Sequence, residues 1–310
     1  MKLLRHRFLL LLLALLPIAS LFLYFSPLSD EAFKQKFLNE YQILPPPLPD
    51  SLEFAGEAVP LNQFDVRERI EREFLVNTYW QSQTILLLKR SARWFPVLDS
   101  ILLANNVPTD FKYLAAAESG LINVVSPAGA VGYWQFLKTT GKTYGLEIND
   151  EIDERYHVEK STEAACGYFR KAYRQFGSWS LVAASYNMGV DGIQKQIDKQ
   201  KVNSYYDLLL NDETFRYVAR IIAMKEILSN PERYGFQIRR KDLYAPFMYR
   251  EICVDSSVND LATLALSQNI NYKKLKLLNP WLRQNTITNK TGKFYYLKIL
   301  NEEYSGVLAD

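Results

Sequence analysis

The chain has 310 residues, a formal net charge of +3 and an aromatic content of 14%. This length allows roughly two domains, and interspersed charges without a basic stripe argue against a nucleic-acid partner. Histidine and cysteine are rare, being limited to His6, His157, Cys166 and Cys253. These residues are too few for a zinc cluster and lack the CxxC spacing of a redox pair. We therefore expect no metal, no cofactor and unpaired cysteines, so that any chemistry depends on carboxylates, amides and hydroxyls.

The N-terminus has the pattern of a membrane-directed segment. An apolar run over residues 8–25 follows a basic cluster made of Lys2, Arg5, His6 and Arg7. As a helix this run reaches roughly 27 Å, close to the thickness of the hydrocarbon core. Bulky residues follow Ala19 and Ser20, which favours an uncleaved anchor, with a cleaved signal peptide as the alternative. Because positive charges precede the span, residues 1–25 predict an envelope protein that faces the periplasmic side.

The middle of the chain predicts a helical domain after a linker. We interpret residues 26–64 as the linker, because the prolines between Ile43 and Asp50 prevent helix propagation. Asp65 is a plausible N-cap for one long helix that continues to Arg90. Apolar periodicity and stop signals predict the later helices at 95–104, 109–118, 133–144, 161–176, 180–187 and 212–228. Strand signals are absent there, so residues 65–240 predict one all-α domain.

The tail has a different pattern. Alternating residues predict strands at 247–254 and 294–299, and helical spacing predicts two short helices at 258–267 and 272–278. Residues 246–300 therefore predict a small α+β unit with the order strand, helix, helix, strand.

Glu118 is the first candidate for chemistry. It ends an alanine-rich helical run and is followed directly by Ser119 and Gly120. A glutamate at a helix end is ordinarily a solvated terminus. Apolar surroundings and the negative end of the helix dipole would nevertheless raise its pKa. A carboxyl that keeps its proton near neutral pH can serve as a general acid.

The other candidate motifs are ordinary when taken singly. Tyr186 and Asn187 end a helix, where asparagine is common, and Glu213 lies in a first turn, where acidic residues are favoured. Gly141-Lys142-Thr143 does not complete a phosphate-binding loop, because Phe136 stands where that motif needs glycine.

Taken in order, the motifs are specific. Glu-Ser (118–119), Gly-x-x-Gln (132–135), Tyr-Asn (186–187) and Glu-Thr-x-x-Tyr-Val (213–218) resemble the family 1 lytic transglycosylases over about residues 65–228. Ser185 is a departure, since the family usually has alanine before Tyr-Asn. The tail is similar to a LysM module but lacks its usual Gly-Asp-Thr opening. The resemblance implies a mainly α fold, in which a lysozyme-like all-α catalytic domain precedes a LysM-like βααβ module.

The resemblance also implies roles for the site residues. Glu118 would act as the single general acid and base that cleaves the β-1,4 bond between N-acetylmuramic acid and N-acetylglucosamine, leaving a 1,6-anhydro end. Peptidoglycan glycan strands would be the partner, bound by Ser119, Gln135, Tyr186, Asn187 and Tyr217. Tyr217 would hold or tune Glu118, and Trp134 is a further stacking candidate. The resemblance identifies no cell-wall synthase or amidase partner.

Two alternatives remain open. A hydrolytic muramidase would make the same cut with water and would need a second carboxylate, for which the sequence offers Asp150, Glu151, Asp153 or Glu154. A wall-binding scaffold without catalysis is the other alternative, although binding alone does not need an acid. We interpret His157, which lies among these charged residues, as structural.

Overall fold

The computed structural model describes residues 29–40, 43–306 and 308, and the chain divides into two units at Pro45 and Pro46. The anchor predicted over residues 8–25 lies outside the described residues. No helix in the described ranges is both long enough and apolar enough to cross a bilayer. In the first unit, helix α1 (Asp30–Glu40) forms within the segment expected to be a linker.

The second unit begins with a short antiparallel hairpin, β1 (Glu53–Phe54) and β2 (Glu57–Ala58). The helices that follow are α2 (Phe64–Tyr79), α3 (Gln81–Ala104), α4 (Phe111–Ser119), α5 (Lys138–Thr143), α6 (Val158–Phe176), α7 (Trp179–Met188), α8 (Val190–Gln200) and α9 (Asp212–Ser229). Short 3₁₀ turns lie at Glu154–Tyr156, Tyr205–Asp207, Pro231–Tyr234 and Arg240–Asp242. The prediction of a helical domain in this region is confirmed.

Part of the expected linker is folded onto this domain. Phe54 of the hairpin is fully buried, and its ring centroid lies 5.3 Å from that of Phe111 at the start of α4. The backbone N–H of Ala55 donates to the carboxylate of Asp110 over 2.7 Å. An aromatic side chain that closes a core costs several kcal/mol to remove, so the hairpin belongs to the helical domain.

Several helix boundaries differ from the predicted ones. The long helix expected to continue from Asp65 to Arg90 breaks at Trp80, whose φ of −89° and ψ of 57° are not helical. Because the chain has neither glycine nor proline at this point, the sequence carries no signal for the break. Residues 133–136 form a turn with isolated bridges instead of the start of a helix, and α8 had no predicted counterpart.

The core of the domain forms around α4. Its Leu114, Ala115 and Ala116 are at most 1% exposed, and the helix packs against both α3 and α9. Small alanine side chains let neighbouring helices approach closely, so the end of α4 lies at the edge of a dense core.

The tail forms the predicted βααβ unit. Strands β3 (Tyr249–Val254) and β4 (Tyr295–Leu300) pair in antiparallel register from Tyr249 with Leu300 to Val254 with Tyr295. Helices α10 (Leu261–Ser267) and α11 (Tyr272–Leu278) lie between them in the chain. Cys166 is buried, Cys253 is exposed, and both are free, as the sequence predicts.

Candidate functional site

Glu118 lies in the last turn of α4, where the helix ends abruptly. Gly120 adopts a left-handed conformation with φ of 61°, and its N–H donates to the Ala116 carbonyl over 2.9 Å. Arg90 of α3 donates to the Gly120 carbonyl over 2.9 Å. This left-handed cap turns the chain away immediately after the carboxylate, as the Ser-Gly pair indicates.

The environment of Glu118 favours its protonated form. Burial raises the pKa of Glu118 from 4.5 to about 7, although a hydrogen bond from Tyr217 and the charge of Arg220 both act to lower it. The charge of Glu213 adds to the increase. The Tyr217 hydroxyl donates to Glu118 Oε1. A half-buried carboxyl with this pKa keeps part of its protonated form at neutral pH. When it ionises, the Tyr217 hydroxyl donates a hydrogen bond to the carboxylate.

Tyr217 belongs to a charged face of α9 that the sequence did not single out. Tyr217 is 3% exposed, and its neighbours Arg216 and Arg220 point at Glu73 of α2, which is 1% exposed. The Nε atoms of Arg216 and Arg220 lie 2.9 Å and 3.6 Å from the Glu73 carboxylate. Arg220 thus pairs with Glu73, while its positive charge still acts on Glu118. The i, i+4 spacing of Arg216 and Arg220 on one helix face was the available signal.

Gln135 lies in a compact loop formed by residues 124–136. Val131 bridges to both Val125 and Phe136. The Gln135 side-chain nitrogen donates to the Gly132 carbonyl over 2.8 Å and to the Val124 carbonyl over 3.2 Å. Gly132 has φ of 84°, and a Cβ there would lie 2.0 Å from the Arg155 carbonyl oxygen. Only glycine fits that position, which explains the first residue of the Gly-x-x-Gln motif.

The Tyr-Asn pair joins this loop to α9. The Tyr186 hydroxyl donates to the Trp134 carbonyl over 2.6 Å. Burial raises the pKa of Tyr186 well above its usual value, and the charge of Glu118 raises it further. Asn187 accepts from the Thr214 hydroxyl over 2.7 Å and donates to Glu213 over 3.4 Å. The four motifs are therefore linked in space, although they span a hundred residues of chain.

Two candidates are oriented differently from the expectation. Ser119 is 7% exposed, and its hydroxyl donates to the Ala115 carbonyl and accepts from the Leu121 N–H. Its bonds shape the turn after Glu118, so its contact with substrate stays a prediction. Trp134 is fully buried and donates to the Thr162 hydroxyl over 2.8 Å. The expectation that Trp134 stacks on a ligand is wrong, because both its ring and its N–H are used by the core.

Three of the four candidates for a second carboxylate are bonded to other groups. Asp153 pairs with Arg155, Glu154 pairs with Lys160, and Glu151 accepts from Thr286 and Thr288. Asp150 is exposed. His157 lies 3.1 Å from Glu159 and beside the ring of Trp281.

Comparison with known proteins supports the resemblance seen in the motifs. Residues 103–209 match the transglycosylase SLT domain, and residues 250–303 match the soluble lytic transglycosylase C-terminal LysM-like domain. The chain is 31% identical over 188 residues to the membrane-bound lytic murein transglycosylase D of Escherichia coli K12, and equally to that of Escherichia coli O6:H1. The match covers 59% of this chain and 41% of each relative. The helical region is therefore similar to transglycosylase SLT domains and the tail to a LysM-like domain, as the first three motifs and the tail predict; these regions are called here the SLT-containing domain and the LysM-like domain.

Proposed function

We propose that this protein is a peptidoglycan lytic transglycosylase with Glu118 as its single catalytic acid and base. The observation that carries the proposal is the half-buried Glu118, whose Oε1 accepts from the Tyr217 hydroxyl and whose pKa burial raises to about 7. The SLT domain match and the named relatives support the same activity. The substrate is the β-1,4 bond between N-acetylmuramic acid and N-acetylglucosamine.

In the first step, Glu118 donates its proton to the glycosidic oxygen, and the bond from that oxygen to muramic C1 breaks. N-acetylglucosamine departs with a free 4-hydroxyl group. The 2-acetamido oxygen of the muramic ring stabilises the positive charge at C1, so no carboxylate nucleophile is required. The anion left on Glu118 is stabilised by the Tyr217 hydroxyl.

In the second step, the Glu118 carboxylate accepts the proton of the muramic C6 hydroxyl. The C6 oxygen then bonds to C1 and displaces the acetamido oxygen, which leaves a 1,6-anhydro ring and a protonated Glu118. No water is consumed. Ser119 follows Glu118 directly in the chain, the charge of Glu118 acts on Tyr186, and Gln135 and Asn187 belong to the motifs linked to them. We propose that these residues hold the sugars on either side of the cut.

The hydrolytic alternative has less support. Hydrolysis with inversion needs a second carboxylate that activates a water molecule. Glu151, Asp153 and Glu154 are already bonded to groups of their own. We therefore place the C6 hydroxyl, not water, as the nucleophile.

Mass spectrometry of the products tests this proposal. Protein from about residue 45 onward is incubated with isolated peptidoglycan, and the released muropeptides are expected to end in 1,6-anhydromuramic acid. Fragments that are all heavier by one water would overturn the transglycosylase mechanism. Glu118→Gln is expected to remain folded and to release no fragments.

The location follows from the relatives and the N-terminal pattern. Both relatives are described as membrane-bound. We propose a place in the cell envelope on the periplasmic side, with residues 8–25 as the anchor and a cleaved signal peptide as the alternative.

A further inference from the structure

The segment over residues 147–157, here called the bridging segment, lies between the 124–136 loop and the LysM-like domain. Ile152 is 2% exposed and forms part of the hydrophobic core of the LysM-like domain. The Asp153 N–H donates to the Trp281 carbonyl over 2.9 Å, and the Arg283 N–H donates to the Glu151 carbonyl over 2.7 Å. A piece of the SLT-containing domain thus completes the core of its neighbour.

Polar contacts extend this interface on both sides of Ile152. The Glu151 carboxylate accepts from the Thr286 hydroxyl over 2.6 Å and from the Thr288 N–H over 2.8 Å. Tyr295 donates to Glu147 over 3.1 Å, and Lys298 pairs with Glu159. Domains joined only by a flexible arm do not share a core, so the LysM-like domain is docked.

Arg155 carries the connection from the bridging segment to the loop. Its Nε and Nη2 atoms bond the Asp153 carboxylate over 2.9 Å and 2.7 Å. Its Nη1 atom donates to the carbonyls of Gly129 and Phe136 over 3.2 Å and 3.1 Å. The side chain is 9% exposed, and a guanidinium has the planar donor geometry needed to hold several acceptors at once.

We infer that the LysM-like domain positions the 124–136 loop through Asp153 and Arg155. Docking holds the Asp153 backbone, and the Asp153 carboxylate orients the guanidinium. The guanidinium then joins the middle of the loop at Gly129 to its end at Phe136, next to Gln135. Arg155 is a positioning residue in this arrangement, since it acts through the loop. The consequence for turnover rests on the proposed function, whereas the consequence for the order of the loop does not.

Hydrogen exchange in the full chain tests the inference without any assay of activity. In Arg155→Lys, the Val131 and Phe136 amides, which bond each other's carbonyls, are expected to exchange about tenfold faster or more, because the loop opens locally. Ile152→Ala, which acts from the docked side, is expected to have the same effect on these amides. Exchange unchanged in both variants would overturn the inference.

Arg170→Lys is the matched control. Arg170 also donates to a backbone carbonyl, that of Asn105 over 3.1 Å, but it has no contact with the loop. Its substitution is expected to leave the Val131 and Phe136 amides unchanged. Equal acceleration in Arg170→Lys would show a general loss of stability and would also overturn the inference.

Steady-state kinetics then separates positioning from damage to the fold. Arg155→Lys is expected to raise KM for glycan strands by about tenfold while the pH midpoint set by Glu118 stays where it is. A smaller active fraction with unchanged KM would indicate a merely structural role. If the wild-type chain proves inactive, the proposed function fails, and the exchange experiment still decides whether the loop is positioned by docking.

Discussion

At the scale of single residues, the groups around Glu118 shift its pKa in opposite directions. Burial and Glu213 raise its pKa, while Tyr217 and Arg220 lower it. If Glu118 acts as an acid, activity is present below its pKa of about 7 and is lost as the pH rises through that value. The individual neighbours therefore set the alkaline limb of the pH profile.

Substitution of Tyr217 and Glu213 should move this limb in opposite directions. Tyr217→Phe removes a donor to the carboxylate, so the pKa of Glu118 should increase and the alkaline midpoint should move up by about one pH unit. Glu213→Gln removes a negative charge, so the midpoint should move down. Profiles of kcat/KM against pH measure both. Shifts of the same sign would contradict this account of the site.

The same pKa has a consequence for stability. A carboxyl whose pKa is raised in the folded state contributes stability below its unfolded pKa and loses it as the pH rises through the folded value. The rise from 4.5 to about 7 corresponds to about 3 kcal/mol at pH 8. Glu118→Gln should therefore increase the free energy of unfolding at pH 8 by up to this amount and have little effect at pH 4. Denaturant titrations at both pH values check this, and an equal effect at both would exclude a charge origin.

The sequence indicates which residues are candidates for the site more readily than it indicates their contacts. Glu118 and Tyr217 could be found because their motifs are local in the chain. The burial of Trp134 depends on tertiary packing, which no short motif encodes. The Ser119 hydroxyl, by contrast, is used by its own helix end through local bonds. Glu73 could not be found for a related reason, since two of its partners, Arg216 and Arg220, lie on α9 and more than a hundred residues away.

At the scale of elements, the hairpin β1–β2 stabilises the start of α7. The Glu57 carboxylate accepts from the Ser180 N–H over 2.9 Å and from the Ser178 hydroxyl over 3.0 Å, and it also accepts from the Trp179 N–H. A carboxylate at a helix N-terminus satisfies free N–H groups and interacts favourably with the helix dipole. The hairpin thereby supports the helix that ends in Tyr186 and Asn187.

Loss of this cap should cost stability. Glu57→Ala is expected to lower the free energy of unfolding by about 1–2 kcal/mol, the usual cost of removing an N-terminal cap. Glu53→Ala on the same hairpin is the control, because Glu53 is exposed and pairs only with Lys225 near the surface, and it should change stability by less than about 1 kcal/mol. Urea denaturation measures both variants, and an equal decrease in their free energies of unfolding would contradict a role for the cap.

The bounds of some helices and strands can be predicted from the sequence, and those of others cannot. The predicted bounds of α6, α7 and α9 are close to the observed ones. Helices α6 and α9 each bury one face, whereas residues 180–185 of α7 are all buried. The break at Trp80 carries no glycine or proline, and the hairpin at residues 53–58 is too short for an alternating pattern. The hairpin is held by contacts with helices distant in the chain.

At the scale of the whole molecule, the SLT-containing domain and the LysM-like domain share a core through Ile152. The sequence predicted two domains with the correct folds, but no periodicity indicates that a connecting segment of the first enters the second. Independent domains unfold separately, whereas domains that share buried side chains unfold together. The shared core therefore predicts one cooperative unit over both domains.

Leucine substitutions in the LysM-like domain test this cooperativity. Leu297 of β4 is fully buried, so Leu297→Ala should cost about 2–5 kcal/mol. If the two domains unfold together, the slowest-exchanging amides of α4 should lose as much protection from hydrogen exchange as the amides of the β3–β4 ladder. Leu266→Ala removes the same atoms from a side chain that is 70% exposed and should cost less than about 0.5 kcal/mol. Loss of protection confined to the β3–β4 ladder in Leu297→Ala would mean that the domains unfold separately, and that docking transmits no stability to the helix that carries Glu118.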